Sequence, residues 1–184
     1  MAETAHHPFD LLLSMAARSR AALGAGGANK EGQIALPASW TGVGFSLGGF
    51  YFVAPLGQVT EILTGITIAR LPRVKPWVRG VANVRGRLLP ILDLAAFFGL
   101  PPVQSGRMRV LILEIDEVYC GLMVDEAHGL RHFGAEAYRP EGAQLSDAIR
   151  PFAVGRYLSN EGSWHVFDTG KLVQDSGFLD AGLR

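Results

Sequence analysis

From Trp40 onward the apolar residues alternate with polar or small ones, and almost every alternating run stops at a glycine or a proline. Val43, Phe45 and Leu47 alternate with Gly44 and Ser46, Gly48-Gly49 follows, and residues 50–54 return in the same style. Successive side chains on a strand point to opposite faces, so a period of two around a glycine pair specifies a half-buried β-hairpin. Further strands are expected at 58–63, 66–69, 81–84 and 88–92, the last two joined by an Arg85-Gly86-Arg87 turn. A second hairpin is expected from Arg109–Ile115 and Val118–Val124 around Asp116-Glu117, with strands at 148–154 and 164–167. Residues 127–146, which carry Gly129, Gly134, Pro140 and Gly142, read as loop. Short strands at close spacing, with 23 glycines to turn the corners, favour small barrels over a helical or α/β fold.

An internal echo sharpens this. Residues 86–99 run turn, apolar strand, Asp93, short helix and Gly99, and residues 162–177 repeat the order with Asp168 and Gly177. Each aspartate is placed to cap the helix that follows, and Pro76 can open a short helical turn because its missing N–H costs nothing there. Two such units predict a mainly β chain of two small barrels of about five strands each. With 48% hydrophobic and 18% charged residues, there is enough apolar surface for a sizeable core.

Ahead of the barrels, Phe9, Leu12, Leu13, Ala16 and Ala17 recur at helical spacing, with Asp10 near the start and Arg18 and Arg20 near the end. Gly24 can stop this helix, and residues 24–32 form a Gly/Ala/Asn-rich linker. The expected organisation is an N-terminal amphipathic helix and linker over 1–39, a two-barrel domain over 40–175, and a tail over 176–184. The apolar run 11–13 is short and has Glu3 and Asp10 where a secretory signal carries positive charge. No apolar stretch approaches the ~20 residues that cross a bilayer. Cytoplasmic residence without direct membrane insertion is therefore expected.

Chemistry-bearing patterns are sparse. There is no GxSxG elbow, P-loop, GxGxxG after a strand, or HExxH. Cys120 is the one cysteine, which excludes an internal disulfide and a cysteine metal cluster, and its apolar surroundings suit a buried, inert thiol. His128 and His132 lie four apart in a glycine-interrupted segment with no third ligand nearby, and His165 reads as a satisfied residue of an edge strand. Helix capping suffices for Asp93 and Asp168. No catalytic residue, metal or cofactor is expected.

Charge is more informative. Arg70, Arg73, Lys75, Arg79, Arg85 and Arg87 fall within residues 70–87 without an acid among them, and Trp77 sits in their midst. Such a stretch suits a small barrel that binds nucleic acid, a solvated rim, or a protein contact, where Arg and Trp are enriched. The balance of 17 basic and 17 acidic residues weakens the nucleic-acid alternative.

Residues 78–94, Val-Arg-Gly-Val-Ala-Asn-Val-Arg-Gly-Arg-Leu-Leu-Pro-Ile-Leu-Asp-Leu, resemble the signature of CheW-like coupling proteins. Gln58-Val59-Thr60-Glu61-Ile62, Leu71-Pro72 and Pro76 upstream, and Cys120-Gly121-Leu122-Met123-Val124-Asp125 downstream, are similar to that family as well. The likeness covers roughly residues 40–175. It implies two SH3-like five-stranded β-barrels around a shared hydrophobic contact, and a non-enzymatic adaptor. The partners implied are the regulatory domain of a CheA-type histidine kinase and the cytoplasmic tip of a methyl-accepting chemotaxis receptor. The opening at residues 40–55 and the N-terminal extension look closest to the subgroup that serves type IV pili and twitching motility. Carried over by motif, Glu61 and Arg85 are expected to form an ion pair, with Asn83 beside a partly buried Arg85 and Gly86 explained by the turn. Val59, Ile62 and Val84 are the candidate apolar lining of a groove between the barrels. The segment 164–169 is less aliphatic than the family's usual ending, and 127–146 resembles nothing in it.

Overall fold

The computed structural model describes residues 39–101, 108–140 and 145–182. The helix expected at 8–23 and its linker lie outside the described residues. Within them the chain is mainly β, built as two mixed sheets with a few short helices.

β1 (Ser39–Leu47) and β2 (Phe50–Pro55) form the expected antiparallel hairpin. Gly48 and Gly49 have φ of 59° and 84°, the left-handed conformations that a tight hairpin turn demands and that glycine adopts without cost. The chain then crosses to the second sheet and builds β3 (Val59–Leu63), β4 (Val78–Val84), β5 (Arg87–Asp93), helix α1 (Leu94–Phe97), β6 (Arg109–Ile115) and β7 (Val118–Val124). It returns to complete the first sheet with β8 (Glu126–Gly134), β9 (Tyr138–Arg139), β10 (Ala153–Ser159) and β11 (Gly162–Phe167), followed by α2 (Thr169–Gln174) and α3 (Ser176–Leu179).

The internal echo is a structural repeat. Strand order is β3-β6-β7-β5-β4 in one sheet and β8-β1-β2-β11-β10 in the other, with the short β9 added beyond β10. Each contains one parallel pair, β5 with β7 and β11 with β2, at the matching place in the order. β5 ends on Asp93 and β11 is followed directly by Asp168, and each aspartate N–H donates at 2.7 Å to the carbonyl just ahead of the preceding strand, Asp93 to Trp77 before β4 and Asp168 to Phe152 before β10. Each aspartate then accepts from the first turn of its helix, Asp93 from Ala96 N and Asp168 from Lys171 N, both at 2.9 Å.

Burial separates three apolar clusters. One fills the five-stranded sheet with Leu89, Ile91, Val110, Ile112 and Met123; another fills the six-stranded sheet with Trp40, Val53, Tyr157, Trp164 and Val166. The largest lies between them, where Phe45, Phe52, Leu111, Leu113, Leu122 and Phe167 belong to one continuous core. Strands whose two faces both meet apolar neighbours explain why Val118–Val124 reads as an unbroken apolar run. Cys120 is fully buried in the central cluster, and burial pushes its thiol up to about 12, so it is the inert thiol expected.

Several elements differ from the sequence reading. Residues 127–146 are not a loop at their start: β8 pairs with β1 from Ser39↔Gly134 to Ser46↔Glu126. Gly129, at φ 68°, sits where that register shifts, so the glycine marks a bulge within a strand rather than its end. The strand expected at 148–154 begins at Ala153, because Arg150–Phe152, with Pro151 near its start, makes a 3₁₀ turn. The run 66–69 contributes only Ala69, which exchanges both backbone hydrogen bonds with Val81 on β4. The segment read as a C-terminal tail carries α3, and its buried Phe178 stacks on Trp77 with ring centroids 5.7 Å apart.

Two expected outcomes arise here. Asp93 is 3% exposed and caps α1, so Asp93→Ala should lower unfolding free energy by about 1–2 kcal/mol in urea denaturation, with Asp93→Asn largely retaining it. His165 proves to be neither satisfied nor at an edge. It lies on β11 between β2 and β10, is 2% exposed, and its Nδ1 has no hydrogen-bond partner among the described residues. Burial, with a smaller contribution from Arg156, lowers its pKa. The unfolded chain then takes up a proton that the folded chain resists, so stability should fall as pH drops from about 7.5 to about 5.5. Burial lowers the His128 pKa too, so His165→Phe should reduce that slope without abolishing it in pH-dependent urea titrations.

Candidate protein-docking site

The β4–β5 hairpin turns on Arg85 and Gly86, with φ of 53° and 82°, between the paired residues Val84 and Arg87. Positive φ at both central residues suits the right-handed twist of the flanking strands, as a type I′ turn requires. Asn83 Oδ1 accepts the Gly86 N–H at 2.9 Å and fixes the turn from within. Arginine is a poor choice for its own position, since a side chain in the left-handed region costs roughly 1 kcal/mol.

What Arg85 touches is Glu61. Its Nη2 donates to Glu61 Oε1 at 2.8 Å, the pair expected from the sequence. The contact carries topological information, because Glu61 lies on β3 and Arg85 at the end of β4, the two outermost strands of the five-stranded sheet. The sheet must curl until its edges meet, and the Ala69–Val81 bridge lies along the free edge of β4. The expected partial burial of Arg85 is corrected: its side chain is 79% exposed, against 30% for Glu61, because the turn carries it off the end of the sheet.

A second pair extends the rim. Arg87 lies 3.8 Å from Glu114 and its guanidinium sits 4.0 Å over the ring of Tyr119. Burial is the main cause that raises the Tyr119 pKa; Arg87 and Arg85 lower it and the two glutamates raise it, which places all four charges within electrostatic reach of one hydroxyl. Glu114 and Tyr119 were not singled out from sequence, and Arg87 was read only as part of the basic stretch 70–87 and of the Arg85-Gly86-Arg87 turn. The rim therefore balances two guanidiniums against two carboxylates, with only the Arg85 head well exposed.

Of the other candidates, Asn83 and Gly86 belong to the turn itself. Val84 packs partly buried against the interior of the five-stranded sheet, and Val59 is 7% exposed within the central core. Ile62, next to Glu61, is 36% exposed and is the apolar candidate that reaches solvent. Core packing accounts for Val59, whereas Val84 packs on the interior of the five-stranded sheet and stays partly exposed.

The basic stretch loses most of its free charge on folding. Lys75 pairs with Asp180 at 3.1 Å and Arg79 with Asp93 at 3.8 Å, beside the pairs of Arg85 and Arg87. Trp77 is 8% exposed between Phe97 and Phe178, so it is no platform for stacking bases. His128 and His132 lie on β8, where His132 Nδ1 is 2.8 Å from Thr41 Oγ1 and His128 packs on the Tyr51 and Trp164 rings. No group of metal-ligating side chains occurs among the described residues.

With this geometry in place, the likeness to known proteins is decisive: residues 41–177 match the CheW-like domain family. The chain is a CheW-like protein. It is 43% identical to the protein PilI of Pseudomonas aeruginosa over 178 residues, covering 96% of this chain and 97% of PilI. The protein FrzA of Myxococcus xanthus is 31% identical over 132 residues, covering 71% of this chain and 82% of FrzA. In fold, this CheW-like protein resembles the scaffolding protein TtCheW of Thermoanaerobacter tengcongensis, with a TM-score of 0.59 at 23% identity, over 70% of this chain and 88% of that one. As a CheW-like protein it is a scaffold-type adaptor of a chemosensory system. No helix among the described residues is long and apolar enough to cross a membrane.

Proposed function

We propose that this CheW-like protein couples the regulatory domain of a CheA-type histidine kinase to the cytoplasmic tip of a chemoreceptor, in the chemosensory system that controls type IV pilus twitching motility. It acts in the cytoplasm and catalyses nothing; its output is the geometry in which kinase and receptor are held. The observation that carries the reading is the exposed guanidinium of Arg85, held on a turn where glycine or asparagine would cost less. Arg73 and Asp116 also adopt positive φ, so the left-handed turn alone does not mark a contact; Arg85 combines it with a guanidinium held by Glu61 and 79% exposed, which suits a partner that reads it. The adjacent Ile62 supplies apolar area for a helical receptor tip. The extent of the match to PilI supports the pilus branch.

The direct test is affinity capture by the full chain from a lysate of its own bacterium, with the recovered proteins identified by mass spectrometry. A multidomain histidine kinase and a methyl-accepting receptor are expected from wild type, and both should be depleted with Arg85→Glu. Recovery of neither from wild type would count against the coupling role.

A further inference from the structure

One guanidinium at the rim of the five-stranded sheet is incompletely satisfied. The Arg87 side chain is 25% exposed, yet its Nε and Nη2 are closed off from solvent and have no hydrogen-bond partner among the described residues. Its third nitrogen, Nη1, reaches Glu114 only at 3.8 Å, too far for a hydrogen bond. The Tyr119 ring lies against the guanidinium face and attracts the charge, but it offers the N–H groups no acceptor in their plane. Buried donors left without an acceptor are unfavourable, and charged ones more so.

The nearest carboxylates are fixed by the strand register. Glu61 pairs with Ile112 across β3–β6, and Glu114 lies two residues beyond Ile112, so both glutamates stand on one face of the sheet. Glu114 in turn pairs with Tyr119 across β6–β7. A diagonal neighbour on the adjacent strand is within reach of a long side chain. In accord with that spacing, the Tyr119 hydroxyl feels Glu61 and Arg85 as well as Arg87 and Glu114. Glu61 thus stands among both guanidiniums and is engaged by the one that needs it less. It accepts from Arg85 at 2.8 Å, but the Arg85 side chain is 79% exposed, and water replaces such a contact at little cost. Water does not reach the Nε–Nη2 edge of Arg87, and that edge has the geometry that takes a carboxylate bidentately.

We propose that Glu61 is a two-position carboxylate: it holds Arg85 in the free chain and moves onto the Nε–Nη2 edge of Arg87 when an acidic side chain of a partner takes Arg85. This rests on the reading of Arg85 as a partner contact, and it adds Arg87 as the positioning residue that makes Arg85 available. Release of Arg85 is then offset inside the chain, because the carboxylate it gives up satisfies two sheltered donors.

Arginine side-chain NMR on the full chain alone reads the exchange without a partner. Arg85→Asn empties the first position in a residue type the turn tolerates, and Arg87→Lys identifies the Arg87 Nε–H signal by its loss. In Arg85→Asn that proton should exchange with water about tenfold more slowly than in wild type, as a new hydrogen bond to a charged group implies. Adding Glu61→Ala should cancel the slowing. An Arg87 signal that Arg85→Asn leaves unmoved overturns the proposal. Slowing that survives Glu61→Ala overturns it as well, since another acceptor would then occupy the edge. Failure of the adaptor reading has a different signature: wild type captures neither kinase nor receptor while the Arg87 signal still responds.

Discussion

Arg85→Glu is expected to weaken binding of the partner that reads this rim by about thirtyfold or more, the loss of a hot-spot contact worth about 2 kcal/mol or above. Its melting temperature should barely move. An ion pair whose arginine is 79% exposed contributes about 0.2–1 kcal/mol to folding, so the fold does not depend on it. Arg85→Asn makes the separation cleaner. Asparagine tolerates the left-handed turn better than arginine, so stability should hold or rise while binding falls. The double exchange Glu61→Arg with Arg85→Glu restores an ion pair inside the chain but inverts the charge shown to a partner. Binding should stay lost in it. Recovery of binding would mean that the pair matters only for shaping the turn, and the contact role of Arg85 would be withdrawn.

The second large effect concerns closure of the five-stranded sheet. Gly80 has φ 136° at the register shift of β4, and a Cβ there would run into the carbonyl oxygen of Ala69. That carbonyl accepts from Val81 N at 2.9 Å, so a side chain would both strain the backbone and open the bridge that covers β4. Gly80→Ala should cost on the order of 3 kcal/mol in chemical denaturation. Gly86→Ala is the matched control. Its φ is also positive, but nothing lies within 4 Å of the added carbon, so the expected loss is about 1 kcal/mol. Equal losses at the two positions would mean that the Ala69 bridge does not hold the sheet closed.

Legibility in the sequence followed local rules and stopped where long-range geometry took over. The hairpin of β6 and β7 is readable to the residue, because alternation, apolar runs and an Asp-Glu turn agree. The two aspartate caps were readable for the same reason, and the repeat they mark is present in strand order, parallel pairing and backbone hydrogen bonds alike. β8 was missed because Gly129 breaks the alternation, and a bulge and a loop look the same in one dimension. The displaced start of β10 has a similar cause: Ile149 and Phe152 are buried as strand residues would be, but from a 3₁₀ turn.

The candidate site divides along the same line. Gly86 and Asn83 are explained by the turn, which the sequence announces. The Glu61–Arg85 contact joins residues 24 positions apart on opposite edges of a sheet, and no local pattern encodes it; the family resemblance supplied it. The exposure of Arg85 and the recruitment of Arg87, Glu114 and Tyr119 depend on how the sheet curls, so they became visible only in three dimensions.

Simultaneous engagement is the core of the adaptor claim, and co-sedimentation measures it. Vesicles bearing the receptor are spun with the purified kinase, with and without the full chain. Kinase should pellet with the vesicles only when the chain is present, and Arg85→Glu should leave it in the supernatant. Kinase that pellets equally without the chain, or a chain that holds kinase or receptor but never both, would contradict the coupling role.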